Sequence, residues 1–481
     1  MVQFSMIDLQ FDLSNPDDGQ NLSTLLAQQI RNAIEQNSLI PGDQLPPSRQ
    51  LANELGIARG TVQLAYEILL AEDILHTRAG AGTFVAAMPT RLSAHENGTL
   101  EAGFAFNFDA IAEPDIDVAP HAKINFLPCR PDVSQLPLAQ WRSCLAQAAL
   151  MSPQADYGDP QGSITLRHEI AAYLRRNRQY VVNPNHLIIT SGISHASNLL
   201  APLLLAEGQE ILMENPCYPL ARQIFQRGGA DIMPCPTDQD GIHIEALPAV
   251  QSNFGAIYVT PAHQFPLGGR LSAPRRAKLL AFAKQHRVPV LEDDYDGEFR
   301  YDVPPLPPLA AHAPEMVIHM GTFSKSFFPD LRLGYLVAPP EIIAALAKRR
   351  QLLDYAPSIV LQNAMALFIQ KGHFEKHLRK MRKIYRQKRQ ALAEALQANR
   401  ISGQLVGLNS GLHAVLALPD IYDAEEICQR ARASNIAINA LRRYAFENTG
   451  VLNGLVIGYA APSIEDIQNG CAVLADCFNK R

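Results

Sequence analysis

The stretch "HMGTFSKSFFPDLRLGYLVAP", residues 319–339, places a lysine between two serines directly after an apolar, strand-like segment. Arg332 follows Lys325 by seven residues, so a guanidinium and small hydroxyl groups lie close to the amine along the chain. A lysine at the end of a buried strand is poorly solvated, and desolvation favours the neutral amine that acts as a nucleophile. The stretch therefore predicts a chemical role for Lys325 at the edge of a buried sheet.

Apolar runs of the same kind recur on both sides of this stretch and alternate mostly with helical or loop segments. Repeated strand, crossover and strand predict an α/β fold with a largely parallel sheet, in which ligands bind outside the carboxyl ends of the strands. Gly192, Ser194, Asp293, Tyr295 and Lys325 follow such runs and are expected to meet at that edge. The runs are "HLIITSG" (186–192), "EILMENP" (210–216), "AIYVTPA" (256–262), "VPVLEDDY" (288–295), "MVIHMGTFS" (316–324) and "LGYLVAP" (333–339).

A smaller and mainly helical unit is predicted for residues 20–87. The run "PPSRQLANELGIARGTVQLAYEILLAEDIL" (46–75) forms two short amphipathic helices around Gly56, with Ser48 as the expected N-cap of the first. This pattern indicates a helix-turn-helix, and the glycine-containing "ILHTRAGAGTFVA" (74–86) indicates a two-stranded wing. Residues 88–120 lose periodicity and are predicted to be a linker, which leaves residues 121–481 as the large unit.

Nucleic-acid binding by the small unit is predicted from position and not from total charge. Residues 20–87 contain four arginines, no lysine and six acidic residues, a formal balance of −2, so a single unit should attract phosphates weakly. A homodimer would double the contacts. The residues expected to face double-stranded DNA are Ser48, Arg49, Arg59, Thr61 and Arg78.

Composition excludes several other classes of protein. The net charge of −5 carries no signature of binding to an anionic membrane or polyanion by the whole chain, and no run approaches the roughly 18 apolar residues of a membrane span. The seven cysteines form no C-x-x-C pair, which argues against a disulfide framework or a metal site and favours a reducing compartment. The N-terminal stretch does not have the pattern of a secretory signal. We therefore expect a cytoplasmic protein without membrane contact and without a metal.

The strand-end residues make chemical sense together around pyridoxal 5'-phosphate. A lysine amine holds its aldehyde as a Schiff base, and a carboxylate at a strand end keeps the pyridine nitrogen protonated. The phosphate needs hydroxyl groups, backbone N–H groups at a helix start and a guanidinium. Thr322, Ser324 and Arg332 would supply one side of a phosphate site, and the turn at 191–194 the other, while Tyr218 offers a ring face for stacking.

Three quoted segments resemble known families: "TFSKSFFPDLRLGY" (322–335), "LEDDYDGEFRY" (291–301) and "LPPSRQLANELGIARGTVQLAYEIL" (45–69). Residues 121–481 resemble the fold type I aminotransferases, and residues 20–87 resemble the winged helix-turn-helix of GntR-type repressors. In this order the two are similar to the MocR-type regulators. The resemblance implies that Lys325 forms the Schiff base, Asp293 pairs with the ring nitrogen and Tyr295 hydrogen-bonds the ring hydroxyl. It also implies stacking by Tyr218 and phosphate binding by Gly192, Ser194, Thr322, Ser324 and Arg332.

Two departures from the aminotransferase pattern bear on activity. In "TPAHQFPLGG" (260–269), Phe265 stands where working aminotransferases usually have an asparagine, so one hydrogen bond to the ring hydroxyl is lost. In "GLVIGYA" (454–460), Val456 or Ile457 stands where an arginine often binds the substrate carboxylate. The candidates to replace that arginine are Arg443, Arg442 and Arg222.

The resulting hypothesis is a transcription regulator whose aminotransferase-like unit binds pyridoxal phosphate and senses an amine, an amino acid or the cofactor itself. Its expected partners are a double-stranded DNA operator, the small-molecule effector and a second copy of the chain. An active aminotransferase with an appended DNA-binding unit is the alternative, since fold alone does not separate the two. A repressor with a vestigial cofactor site is a third hypothesis, against which the intact Lys325 and Asp293 weigh.

Overall fold

The computed structural model describes residues 11, 21–87, 113–117, 122–152, 155–205, 208–246, 254–302, 306–446, 450 and 452–479. The chain divides into an N-terminal unit, Met1–Ile111, and a C-terminal unit, Ala112–Arg481. Apart from residues 113–117, which belong to the C-terminal unit, the predicted linker lies outside the described residues.

The N-terminal unit packs three helices against a small antiparallel sheet. Leu26, Ile30, Val62 and Leu69 are fully buried between the helices, as the amphipathic pattern predicts. The strands pair in the order β1-β3-β2, and the β2–β3 hairpin forms the wing. The elements are α1 (Leu22–Glu35), β1 (Gln44–Leu45), α2 (Ser48–Leu55), α3 (Arg59–Ala71), β2 (Leu75–Arg78) and β3 (Gly82–Val85).

The turn between α2 and α3 depends on one glycine. Gly56 ends α2 in the left-handed region at φ 65°, which glycine adopts without a steric penalty. The prediction that Ser48 caps α2 is wrong. Pro47 occupies the N-cap position, no side chain caps the helix, and Ser48 is its first residue. The fixed φ of a proline suits the entry to a helix, which explains why the helix begins directly after it.

The C-terminal unit is an α/β structure with a smaller sheet after it. Its helices are α4 (Leu138–Ala149), α5 (Ile164–Arg178), α6 (Ile193–Leu204), α7 (Pro219–Arg227), α8 (Ala273–His286), α9 (Pro340–Gln351), α10 (Ile359–Gln370), α11 (His373–Ala398), α12 (Ala424–Ala433) and α13 (Ile464–Asn479). Its first strands are β4 (Ile124–Asn125), β5 (Leu187–Thr190), β6 (Glu210–Asn215), β7 (Asp231–Asp238), β8 (Gly241–Ile242), β9 (Phe254–Val259), β10 (Val290–Asp294), β11 (Val317–Thr322) and β12 (Gly334–Val337). The last strands are β13 (Gln404–Val406), β14 (His413–Ala417), β15 (Ile436–Ala437), β16 (Asn439–Ala440) and β17 (Gly454–Gly458).

The large sheet has the strand order β5-β12-β11-β10-β9-β6-β7-β8. Its neighbours from β11 to β7 are parallel, whereas β12 is antiparallel to both β11 and β5, and β8 is antiparallel to β7. Successive strand residues point to opposite faces, so Leu291 joins the apolar cluster that includes α6 and α7, while Val290 joins the cluster that includes α5 and α10. Helices therefore cover both faces, and the predicted strands are confirmed.

The smaller antiparallel sheet has the order β13-β14-β17-β16. It shares one apolar cluster with α11, α12 and α13, so this part of the chain is packed onto the rest of the unit. Within the described part of the chain, no helix is both long and apolar enough to cross a membrane.

Candidate functional site

A cavity of about 330 Å³ in the C-terminal unit is lined by residues that follow β5, β6, β9, β10 and β11. The structure therefore brings the predicted strand-end residues together at the carboxyl edge of the parallel strands. All nine residues that the sequence associated with the cofactor line this cavity: Gly192, Ser194, Tyr218, Asp293, Tyr295, Thr322, Ser324, Lys325 and Arg332.

Asp293 is a buried acid whose second oxygen faces no protein partner. The Tyr258 hydroxyl donates a hydrogen bond to Oδ2, whereas Oδ1 has no hydrogen-bond partner among the described residues. Burial raises the pKa of Asp293 to about 7; the bond from Tyr258 opposes this and the nearby carboxylates of Asp294 and Asp296 add to it. A cationic group placed at Oδ1 would favour the charged carboxylate.

Lys325 lies three residues after the end of β11, which is paired with the strand that carries Asp293. Asp293 pairs in register with Met320 of β11, so the loop after β11 lies beside the end of β10. Burial lowers the pKa of the Lys325 amine, and the positive charge of Arg130 lowers it further, while Cys129 and Asp293 act in the opposite direction. The environment thus increases the neutral fraction of the amine, as a nucleophilic lysine requires.

Several hydrogen-bond donors converge in front of the N-terminus of α6. Gly192 is the N-cap at φ 103°, and a Cβ built there would lie 3.8 Å from both terminal nitrogens of Arg332 and 3.9 Å from Thr322 Oγ1. The Ser324 amide donates to Thr322 Oγ1 at 3.1 Å, which fixes that hydroxyl. A guanidinium, hydroxyl groups and a helix N-terminus facing one point form an anion site.

Tyr218 and Phe265 form an aromatic corner of the cavity. Tyr218 is the N-cap of α7, and its ring lies edge-on to Phe265 with 5.9 Å between centroids. Burial raises the pKa of the Tyr218 hydroxyl to about 12, although contact with Ser194 lowers it. Tyr218 is therefore neutral at physiological pH.

A buried polar network lies behind Tyr295. The Tyr295 hydroxyl is 2.8 Å from His263 Nδ1, which is itself 2.9 Å from Asp296 Oδ2. One side-chain nitrogen or oxygen atom from each of His263, Asp296 and His413 lies within 4.8 Å of the other two. His413 Nε2 is also 3.1 Å from the Pro266 carbonyl oxygen. No local sequence pattern marks His263, because its neighbours in space are distant along the chain.

Gly411 allows this network to pack, and its replacement is expected to destabilise the C-terminal unit. Gly411 has φ 79°, and a Cβ there would lie 2.0 Å from His263 Cε1 and 2.7 Å from Asp296 Oδ2. Overpacking and backbone strain together should lower the free energy of unfolding by about 2–4 kcal/mol in Gly411→Ala. Fluorescence of Trp141, the single tryptophan and a buried residue of α4, reports unfolding of this unit in urea. Gly450→Ala is the control, because a Cβ at Gly450 meets no atom within 4 Å. Equal midpoints for the two variants would contradict the expectation.

The two departures from the aminotransferase pattern form an apolar wall beside the cavity. Phe265 packs edge-on against Tyr444 at 5.2 Å between ring centroids, and Val456 belongs to the same buried cluster as both rings. Strand β17 brings no charge to this wall, because all five of its residues are uncharged.

Residues 113–117, "EPDID", form a segment that we term the strap. Asp115 and Asp117 of the strap line the cavity, and both bind Arg443 at 2.7 Å. Arg222 lies 3.4 Å from Asp115. Of the three arginines proposed for a carboxylate, Arg443 and Arg222 are thus paired with the strap, whereas Arg442 is exposed; none of the three lines the cavity.

Sequence reasoning missed Arg130, which lines the cavity and donates to the backbone carbonyl oxygen of Asp117. It also missed Asp115 and Asp117, because the acidic and proline-containing composition of the strap indicated a linker. No local pattern marks any of these residues.

The predicted DNA-contacting side chains of the N-terminal unit differ in exposure. Arg49, Arg59 and Arg78 are exposed, and Ser48 and Thr61 are partly buried. Arg59 is the first residue of α3, and the Arg78 guanidinium lies 4.9 Å from the centroid of the Phe84 ring on the wing. Helix α3 also exposes Gln63 and Leu64, which are not among the residues predicted to contact DNA.

The match to known families agrees with this division of the chain. Residues 22–85 match the gntR family of bacterial regulatory proteins, and residues 129–474 match aminotransferase class I and II. An archaeal alanine:glyoxylate aminotransferase is 25% identical, with a TM-score of 0.70 over 74% of this chain and 90% of that one. LysN, the alpha-aminoadipate aminotransferase of Thermus thermophilus, is 27% identical, with a TM-score of 0.68 over 74% and 92%; its structure contains N-(5'-phosphopyridoxyl)-L-leucine. Fold and site thus define a GntR-type helix-turn-helix joined to a fold type I aminotransferase-like unit.

Relatives similar over nearly the full length are transcriptional regulators. The chain is 34% identical over 465 residues to the HTH-type pyridoxine biosynthesis transcriptional regulator PdxR of Corynebacterium glutamicum. The aligned region covers 97% of this chain and 98% of that protein. It is 30% identical over 461 residues to the probable rhizopine catabolism regulatory protein MocR of Rhizobium meliloti, at 94% and 93% coverage. The chain therefore belongs to the MocR-type transcriptional regulators of the GntR family, which confirms the predicted family and regulatory function.

Proposed function

We propose that the C-terminal unit holds pyridoxal phosphate and that this regulator uses it to sense an amine, an amino acid or the cofactor itself. The observation that carries the proposal is the unpartnered Asp293 Oδ1, which shares one cavity with the desolvated Lys325 amine. A buried carboxylate oxygen without a donor is costly unless a ligand supplies one.

The residues present fit this cofactor. Asp293 Oδ1 is suited to a protonated ring nitrogen, and the donors around Gly192 are suited to a phosphate, with Arg332 neutralising its charge. Lys325 would attach covalently to the aldehyde, Tyr295 would reach the ring hydroxyl, and Tyr218 would stack. Ser194, Thr322 and Ser324 would complete the phosphate site.

When bound, pyridoxal phosphate supplies an aldehyde that captures primary amines and a ring that withdraws electrons. The residues of this chain set how far such chemistry proceeds. The Phe265 side chain has no group that donates a hydrogen bond, and the buried Val456 supplies no positive charge to orient a substrate carboxylate. Poor orientation alone costs about two orders of magnitude in rate, which favours sensing over turnover.

We further propose that the protein acts as a homodimer in the cytoplasm on a double-stranded operator. The N-terminal unit has a formal charge balance of −2, so one unit alone would bind phosphates weakly, and pairing two units raises the effective affinity. A ligand changes this binding only through its different affinity for the two states of the protein.

A combined titration is expected to separate a sensor from an enzyme. Purified protein loaded with pyridoxal phosphate should change its visible absorption on addition of a suitable amine or amino acid, and its binding to the DNA upstream of its own gene should change over the same concentration range. Release of product from an amino acid and a keto acid should be very slow or absent. Absorption, DNA binding by fluorescence anisotropy and keto-acid formation are measured on the same sample.

The alternative function predicts a different set of results. An aminotransferase with an appended DNA-binding unit would perform rapid multiple turnovers while DNA binding stayed indifferent to both substrates. That outcome would overturn the sensor proposal and leave the enzyme.

A further inference from the structure

The strap is held over the cavity by contacts at several points. Its backbone is fixed by Gln223, whose side chain donates to the Glu113 carbonyl oxygen at 2.7 Å and accepts from the Asp115 amide at 3.0 Å. The Tyr444 hydroxyl donates to Asp117 Oδ2 at 2.9 Å, and the side-chain amide of Asn439 donates to Oδ1 at 2.8 Å. These contacts place both strap carboxylates, those of Asp115 and Asp117, at the cavity wall.

The strap carboxylates bind an arginine in a forked arrangement. Arg443 Nε is 2.7 Å from Asp117 Oδ1, and one of its terminal nitrogens is 2.7 Å from Asp115 Oδ1. Planar guanidinium groups recognise carboxylates through such parallel hydrogen bonds. The strap carboxylates thus accept the hydrogen bonds that Arg443 would donate to the carboxylate of a ligand.

Among the described residues that line the cavity, one cation has no role assigned so far. Arg332 is assigned to the anion site, Lys325 to covalent attachment and Asp293 to the ring nitrogen. Arg130 also lines the cavity, and its side chain donates a hydrogen bond to the neutral backbone carbonyl of Asp117. Arg130 therefore keeps its positive charge for a ligand, directly beside the strap.

We propose that Arg130 and Arg443 form a carboxylate-binding subsite, which the strap carboxylates occupy until an effector that carries both an amine and a carboxylate displaces them. This inference rests on the proposed function, because the amine would bind at Lys325. The subsite lies on other segments than β17, the strand of Val456, and it restricts the effectors to amino acids. Displacement would also free the part of the C-terminal unit that is nearest in sequence to the N-terminal unit.

Binding of matched ligands to charge-neutral strap variants tests the proposal. L-alanine and β-alanine are compared with ethylamine, the amine that remains when the carboxylate of either is removed. In Asp115→Asn with Asp117→Asn, the apparent Kd of the protein for the effective amino acid, read from the cofactor absorption, should fall about 3- to 30-fold, because the two partly exposed strap carboxylates no longer compete with the ligand for Arg443. The Kd for ethylamine should change by less than about 2-fold.

Two further variants define the other side of the subsite. In Arg130→Gln with Arg443→Gln, the amino acid should lose at least about 10-fold in affinity relative to ethylamine, because the loss of the Arg130 charge near Lys325 affects both ligands alike. Glu113→Gln is the matched control, since it removes one charge from the strap but contributes only a backbone contact to its anchoring. This control should change neither Kd.

The outcomes separate failure of this inference from failure of the proposed function. If L-alanine, β-alanine and ethylamine all leave the absorption of the parent protein unchanged, the sensing of amines and amino acids fails together with the subsite that depends on it, whereas sensing of the cofactor itself does not. If the parent responds but the double asparagine variant binds the amino acid as before, or binds ethylamine tighter to the same extent, the subsite proposal is overturned. Weaker amino-acid binding in that variant would also overturn it, because the strap carboxylates would then hold the cationic part of the effector.

Discussion

Lys325→Ala is expected to abolish the covalent attachment of pyridoxal phosphate and the yellow colour of the protein. The covalent bond needs a neutral primary amine at the cavity, and Lys325 is the lysine that lines it within the described part of the chain. Burial lowers the pKa of this amine, and no other group of the cavity lining replaces its chemistry. Phosphate and ring contacts remain, so the variant should still bind the cofactor weakly and reversibly.

Reduction with borohydride followed by intact mass measurement tests this expectation. The parent protein should gain the mass of one reduced cofactor, and Lys325→Ala should gain none. Lys278→Ala is a suitable control because Lys278 is exposed and pairs with Glu245 away from the cavity. An unchanged reducible adduct in Lys325→Ala, with the Trp141 unfolding transition intact, would assign the covalent bond to another residue.

The sheet and its site edge were predictable because strands leave a strong local pattern. The strands that end at Thr190, Asp294 and Thr322 are buried on both faces, as strands covered by helices on both sides must be. Since the carboxyl ends of parallel strands meet at one edge, polar residues after such runs are neighbours in space. Asp293 and Lys325 are therefore expected side by side from the sequence alone.

The position of Arg332 shows the limit of that argument. It precedes β12, which is antiparallel to β11, and its guanidinium reaches the same edge because that strand begins where β11 ends. Sequence spacing made the arginine a candidate, but the direction of β12 was needed to explain its approach to Gly192.

The strap and the network behind Tyr295 were not predictable, because both depend on contacts between distant parts of the chain. Asp117 and Arg443 are separated by most of the C-terminal unit, and neither belongs to a periodic segment. The acidic, proline-containing strap has the composition of a linker. The binding role of its two carboxylates is recognisable only when their contact with Arg443 is known. The same holds for His263 and Asp296, which meet across two different loops.

Arg59→Ala is expected to reduce specific operator affinity by roughly 1–3 kcal/mol, or about 5- to 150-fold, if this side chain makes a bidentate base contact. Arg59 is exposed at the first turn of α3, where a recognition helix presents its base-reading side chains. If Arg59 contacts a base, Arg59→Ala should lower both the affinity for the operator and the discrimination between the operator and altered sequences. Arg49→Ala, if Arg49 contacts phosphate, should instead weaken binding to all sequences alike and reduce the salt slope by about 1.

Fluorescence anisotropy with labelled operator and scrambled DNA at several salt concentrations distinguishes these contacts. Arg31→Ala is the control, because it removes the same charge from the N-terminal unit at a residue that pairs with Glu72 and is not among those expected to face DNA. Cofactor absorption should be the same in all three variants, since the cavity lies within the C-terminal unit. Operator binding by Arg59→Ala as tight as that of the parent would exclude Arg59 from base recognition and direct attention to Gln63 and Leu64 on the same helix, which are also exposed.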